Sequence, residues 1–218
     1  MVAKRKPEET RKPPDLPDLD ALAILSEDAL LAGRPLEDAF AEKLDFSGRR
    51  LPALIAKGCA FRDVSFASCE ISSVRLRDVR FLKCDLSNAQ LRDFEATRVE
   101  FLDCRLSGLR AIECRWNSVL VENCEGRYGQ LNDGQLRTCE FVGSQLAECD
   151  LRSSNLEGSR FVRTSLERAD LTGARLDRTD LRGAVLEGIL SRAEDLRGAI
   201  VTASQAMELA RFLGLVIR

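Results

Sequence analysis

Every fifth residue from Phe46 to Leu186 is drawn from a narrow set. These twenty-nine positions carry Phe, Leu, Ile, Val or Trp, except Ala56, Ala96, Ala111 and Gly126. Two positions earlier in each five the side chain is mostly small: Cys, Val, Ala, Ser or Thr. The other three are mostly Arg, Asp, Glu, Asn, Gln, Ser or Gly. An α-helix repeats at 3.6 and a half-buried strand at 2, so neither yields this period. A fixed repeat decides the architecture before local propensity does. Five residues with two inward positions can form one side of a square coil. Four sides make a turn of about twenty residues, and turns stack by backbone hydrogen bonds at about 4.8 Å.

That geometry predicts columns at intervals of twenty. Phe61, Phe81, Phe101, Phe141 and Phe161 share one inner column, interrupted by Val121 and Leu181. All eight cysteines (59, 69, 84, 104, 114, 124, 139 and 149) fall at the small position of the five, which makes them buried hydrophobes. Cys84, Cys104 and Cys124 form a column of parallel thiols, poorly placed for disulfides. The chain has no His and no CxxC pair, so neither zinc nor any other metal site is expected. Eight free thiols point to a reducing compartment.

The repeat, A/C/S/T followed by D/N/E/R and L/F and two variable residues, resembles the pentapeptide repeat family. The likeness covers residues 44–201 and is strongest in CDLRSSNLEGSRFVRTSLERADLTGARLDRTDLRGAVLEG, 149–188. It implies an all-β solenoid, a right-handed quadrilateral β-helix, with short helical caps at both ends. Residues 1–18, Pro-rich and basic, are expected to be a disordered tail, and 19–43 a helical N-terminal cap with its helix over 19–32. Residues 202–218 are expected to form a C-terminal helix, 203–213 with Ser204 as its N-cap, and an apolar tail. This end caps the last turn, makes a two-fold dimer contact, or both; the dimer residues would be Leu209, Phe212, Leu213, Leu215, Val216 and Ile217.

Catalytic machinery is not in view. Without His there is no His-based triad, and neither GxxxxGK[ST] nor GxGxxG occurs. A rod with a filled interior offers no substrate pocket. The chain is read as a non-enzyme with no catalytic residues, cofactor or small-molecule substrate. No apolar run is long enough for a transmembrane helix and the N-terminus lacks the apolar core of a secretory signal, so a cytoplasmic, non-membrane protein is expected.

Function must then lie on the outer walls. Residues 44–198 are neutral, with 24 acids and 24 bases, but the acids are not spread evenly. Asp93, Glu113 and Asp133 share a column, where like charges repel. With Asp85, Asp150 and Asp170 they are the candidate acids of a surface imitating a DNA phosphate backbone. Leu82, Leu102, Val142 and Val162 form an apolar outward stripe, read either as an interface or as ground covered by the N-terminal segment. Direct nucleic-acid binding by the wall centred on 56, 76 and 96, with nine bases against six acids, is not expected, since no stacking aromatics accompany them.

Some members of the pentapeptide repeat family protect DNA gyrase and topoisomerase IV from poisons: the Qnr-type quinolone-resistance proteins and self-immunity proteins of antibiotic producers. Those are dimeric rods resembling duplex DNA. SQAMELARFLGLVIR resembles the Qnr-type C-terminus, with QA, Leu, LG and an apolar tail in the same order. The resemblance implies a homodimeric DNA mimic that binds a type II topoisomerase and confers antibiotic resistance. The near-neutral solenoid departs from that pattern. So does the lack of a frame-breaking insertion, for which 117–135 is the only candidate loop. The alternative is a generic protein-interaction scaffold that uses the apolar stripe.

Overall fold

The computed structural model describes residues 10–18 and 22–212. From Leu22 onward the chain winds as a parallel β-solenoid of about eight turns. Its long strands, Leu54–Arg62, Val74–Leu82 and Phe94–Leu102, pair in parallel at an offset of twenty, so that Phe61 lies beside Phe81 and Phe81 beside Phe101. The offset persists through Phe101, Val121, Phe141 and Phe161. The stretch 117–135 does not leave this frame: Asn117 pairs with Arg137 and Val121 with Phe141. It forms no protruding loop.

The corners explain why the period is five. All thirty described residues with positive φ, twenty-one of them not glycine, occupy the same place in the five. At many corners the N–H of the next residue returns to the carbonyl three residues back, as from Arg49 to Phe46 (3.0 Å) and from Cys69 to Phe66 (3.1 Å). Gly48 (φ 70) and Ser68 (φ 57) occupy the third position of those turns, where a type II turn requires a left-handed residue. Each corner turns the chain onto the next side.

Inside, the phenyl rings stack. Phe61 and Phe81 are 4.9 Å apart, Phe81 and Phe101 5.0 Å, and Phe141 and Phe161 4.6 Å. The small inward position does more than save space. Ser154, Ser159 and Thr179 are fully buried there and donate to carbonyls twenty-three residues earlier, at 2.7, 2.7 and 2.8 Å. Cys84, Cys104 and Cys124 point their thiols at the carbonyls of Phe61, Phe81 and Phe101 in the same way. Ser, Thr and Cys are interchangeable at this position because each is small and can donate one hydrogen bond between coils. All eight cysteines are free and buried, and desolvation pushes the Cys139 thiol up to about 12.

The N-terminal cap differs from the sequence-based expectation, while the C-terminal helix differs only at its N-cap. The N-terminal helix, α1, is only Glu27–Leu31. Strands Ala23–Ile24, Leu36–Glu37 and Ala39–Glu42 surround it and pair onward into the rod. The cause is the frame itself: Leu36 and Ala41 already occupy inward positions at 7% and 1% exposure, and stacking on Ala56 and Phe61 outweighs local helix preference. Nor are residues 10–18 a detached tail. Arg11 and Asp15 bond to the solenoid, and an extended Pro-rich segment has little conformational freedom to lose. Residues 1–9 lie outside the described part of the chain.

At the other end, α2 spans Ala203–Phe212. Its N-cap is Thr202, two residues before the expected Ser204. The Thr202 hydroxyl accepts from the Gln205 N–H (3.2 Å), and Gln205 Oε1 accepts from the Thr202 N–H (2.9 Å), a reciprocal capping box. Gln205 Nε2 also donates to the carbonyls of Leu181 (2.7 Å) and Ala184 (2.8 Å). One side chain therefore starts the helix and covers two carbonyls of the last full coil.

Candidate partner-binding surface

Stacking turns the four corners of each coil into four edges running the length of the rod. Asp93, Glu113 and Asp133 occupy successive corners of one edge, with φ of 45, 58 and 59. All three are exposed. The sequence placed them together in a column, and the structure places that column on a convex edge rather than a flat wall. Their backbones continue the coil-to-coil pattern: the N–H of Glu113 donates to Asn132 and that of Asp133 to Arg152.

Elsewhere many acids meet a base one coil away. Arg62 meets Glu42 at 2.7 Å, Arg115 meets Glu95 at 3.1 Å and Arg168 meets Glu148 at 3.2 Å, each across an offset of twenty. Three of the six candidate acids are likewise held by arginines, though not all across a coil. Asp85 pairs with Arg105 (3.6 Å), while Arg152 takes Asp150 (2.6 Å) and reaches Asp170 (3.8 Å). The hydrogen bond from Arg152 holds the Asp150 carboxyl below its ordinary range, against desolvation. Asp93 and Glu113 have no ion pair among the described residues, and Asp133 accepts only from Asn132 Nδ2, at 2.9 Å. Of the six acids, only these three combine exposure and alignment with no ion pair among the described residues, although the Arg152 charge still acts on Asp133.

The other candidates separate similarly. Leu82, Leu102, Val142 and Val162 do form a stripe, with Leu82 beside Leu102 and Val142 beside Val162, but each is only half-buried or better covered, and Glu122 divides them. Leu209 is not a surface residue: it is 9% exposed and belongs to the core, where α2 closes over the last coil. Phe212 ends α2, while Leu213, Leu215, Val216 and Ile217 lie outside the described residues. Sequence reading missed the apolar side chains that are exposed near this end: Val185, Leu190, Ile200 and Met207. Leu190 and Ile200 each continue an outward column, stacked on Asp170 and Asp180, and a switch from charged to apolar at a column's last member was the signal.

Among the described residues no group of acids or thiols could hold a metal ion, and no helix is long and apolar enough to cross a membrane. The outer surface is therefore described by its charge pattern and its exposed apolar residues.

Two family models match the chain: a pentapeptide repeat region over residues 74–151 and pentapeptide repeats in eight copies over 149–188. No curated protein matches it. Among solved structures, a trypsin-treated variant of QnrB1, a plasmid-mediated fluoroquinolone resistance protein, is 21% identical with a TM-score of 0.43, covering 90% of this chain and 99% of that one. Full-length QnrB1 is 23% identical with a TM-score of 0.38, over 88% and 95%. HetL, a pentapeptide repeat protein involved in heterocyst differentiation regulation from the cyanobacterium Nostoc sp. strain PCC 7120, is 15% identical with a TM-score of 0.26, over 76% and 86%. The two family matches together run from 74 to 188, more than half of the sequence, in the frame set by the stacked corners, and the chain belongs to the pentapeptide repeat family.

Proposed function

We propose that the protein is a non-enzymatic binding rod whose partner is a type II topoisomerase, DNA gyrase or topoisomerase IV, which it shields from poisons. The observation that carries this reading is the edge of Asp93, Glu113 and Asp133. Three exposed carboxylates in line, none held in an ion pair among the described residues, offer a narrow ridge of negative charge to a surface built for a phosphate backbone. A sequence under selection for stability alone would pair them, as it does many of its other acids. The mimicry is confined to this ridge, because Asp85, Asp150 and Asp170 are held by arginines.

The working form is a homodimer joined at the C-terminal ends. Val185, Leu190, Ile200 and Met207 supply exposed apolar surface there, and a two-fold contact would cover it on both copies. Leu209 would serve by holding α2 in place.

The test is a gyrase supercoiling and cleavage assay with a quinolone present. At low micromolar protein the wild type should preserve supercoiling at drug concentrations that otherwise stop it, and the effect should weaken as salt rises. The double change Asp93→Lys with Glu113→Lys should remove it. Neither protection nor inhibition by a folded wild-type dimer would refute the reading.

A further inference from the structure

A different edge of the rod already holds a ligand, and the chain supplies it. Residues 10–18 lie along the corner column of Asp78, Arg98, Ser118 and Thr138. The N–H of Asp15 donates to Asp78 Oδ1 at 2.9 Å. Arg11 reaches two carboxylates at once, Glu100 at 3.3 Å and Glu140 at 3.5 Å. These sit in one outward column, two coils apart, with Leu120 between them.

Outward positions on this rod are mostly exposed or half-buried, yet here they are not. Glu100 is 5% exposed and Leu120 8%, and the adjoining corners Asp78, Ser118 and Thr138 are 5%, 5% and 8%. The Arg11 side chain is itself only 14% exposed. Together these residues outline a footprint: a floor with one leucine, two carboxylates that grip a guanidinium while Arg80 also holds Glu100 and Arg160 holds Glu140, and a third, Asp78, that takes a backbone N–H while paired with Arg98. The groove continues past Thr10 toward the C-terminal end, with a volume of about 940 Å³, between Glu157, Arg160, Asp177 and Arg178.

We propose that this groove is a docking site for an extended, arginine- and proline-bearing peptide of a partner protein, and that residues 10–18 are its occupant in cis. The chemistry that seats Arg11 is not specific to its own chain. Any arginine can bridge Glu100 and Glu140 through its guanidinium. Prolines flanking the arginine, as Pro13, Pro14 and Pro17 follow Arg11, fix an extended backbone in advance and lower the cost of binding. Occupancy in cis weakens an outside peptide by the fraction of molecules whose groove is open. This site and the acidic edge are on separate corners, so either can fail without the other.

The experiment uses a fluorescein-labelled peptide, TRKPPDLPD, with the sequence of residues 10–18, and fluorescence anisotropy on the full chain. Arg11→Glu sets a third carboxylate against Glu100 and Glu140 and evicts the segment. The labelled peptide should bind Arg11→Glu at least about tenfold more tightly than it binds the wild type, and binding should fall in 1 M salt. A peptide with glutamine in place of its arginine should bind the same variant at least about tenfold more weakly. Because that last change lies in the peptide, its result does not depend on how the protein tolerates substitution. No binding to Arg11→Glu at millimolar peptide, or equal binding of the arginine and glutamine peptides, overturns the proposal.

Discussion

Glu113 sits between two like charges on a corner that disfavours any side chain with a Cβ, so replacing it should make the protein more stable. Two contributions can be worked separately. Carboxylates one coil apart, splayed to about 6 Å, repel by about 0.7 kcal/mol in water without salt. A Debye length of about 10 Å at 0.1 M salt reduces this to about 0.4 kcal/mol. Glu113 has two such neighbours, Asp93 and Asp133, so Glu113→Gln should gain up to about 0.8 kcal/mol, less whatever the freedom of exposed side chains already relieves. The second contribution is the backbone. At φ 58 an L-residue is disfavoured by roughly 1–2 kcal/mol, and glycine recovers this while losing roughly 0.5–1 kcal/mol to its freer unfolded chain. Glu113→Gly should therefore add up to about 1.5 kcal/mol beyond Glu113→Gln. Urea denaturation followed by the single tryptophan, Trp116, at 0.05 M and 1 M sodium chloride separates the two. The Gln gain should largely vanish in 1 M salt, and the extra Gly gain should persist. A Gln variant no more stable than wild type at low salt would refute the idea that the edge is electrostatically costly. With it would go the argument that the charges are retained for binding.

Two further outcomes follow from the ends of the rod. Gln205→Ala leaves the carbonyls of Leu181 and Ala184 without their donor, so stability should fall by about 2–4 kcal/mol and the uncovered coil should associate end to end. Denaturation and light scattering together check this, and a monodisperse variant losing less than about 1 kcal/mol would show that α2 caps by packing alone. At Asp195 the hydrogen bond from Arg192 leads the effects that hold the carboxyl well below its ordinary value, outweighing desolvation. A lowered folded pKa means the unfolded chain binds the proton first, so this contribution is complete above an ordinary carboxylate pKa of about 4 and lost as pH falls toward the lower folded value. Asp78, Asp150 and Asp180 share the sign, so the informative quantity is the difference: Asp195→Asn should lose less stability than wild type between pH 5 and pH 2.

The interior was legible in the sequence because it obeys one rule over many repeats. Phe81 and Phe101 could be stacked on paper, as could the cysteines, since a period of five with two apolar members allows few closed shapes. The corners were less legible for a chemical reason. Asp, Asn and Gly are the residues expected at positive φ, yet Lys83, Arg98, Glu113 and Tyr128 adopt it too. A ring of backbone hydrogen bonds shared between coils imposes the conformation whatever the side chain. At the N-terminus the same rule failed through thin evidence: Leu36 and Ala41 are only two inward residues, too few to outweigh a helical pattern nearby. The segment around Arg11 could be read only as one possible cover for the apolar stripe, not as an arginine bridging two carboxylates. Its partners, Glu100 and Glu140, are distant in sequence, and its composition is that of a chain with no core to join.

The candidate binding edge belongs to a third kind, visible only as an exception. A column of three acids means little until the coil length is known, because only then can each acid be checked against a base twenty residues away. Once that ladder is drawn, Glu95 finds Arg115 and Glu148 finds Arg168, while Glu113 finds Asp93 and Asp133. The sequence could supply the column, since alignment follows from the period. Whether Arg92 or Arg152 would lean across to neutralise it depends on side-chain reach and competition. Arg152 is drawn to Asp150, two residues away on its own coil, and to Asp170 on the next, which leaves the corner acids without an ion pair. The functional signal in a repeat protein of this kind therefore lies where a column of like charges breaks a pairing rule kept at many other positions. That break can be read only after the coil has fixed which residues are neighbours.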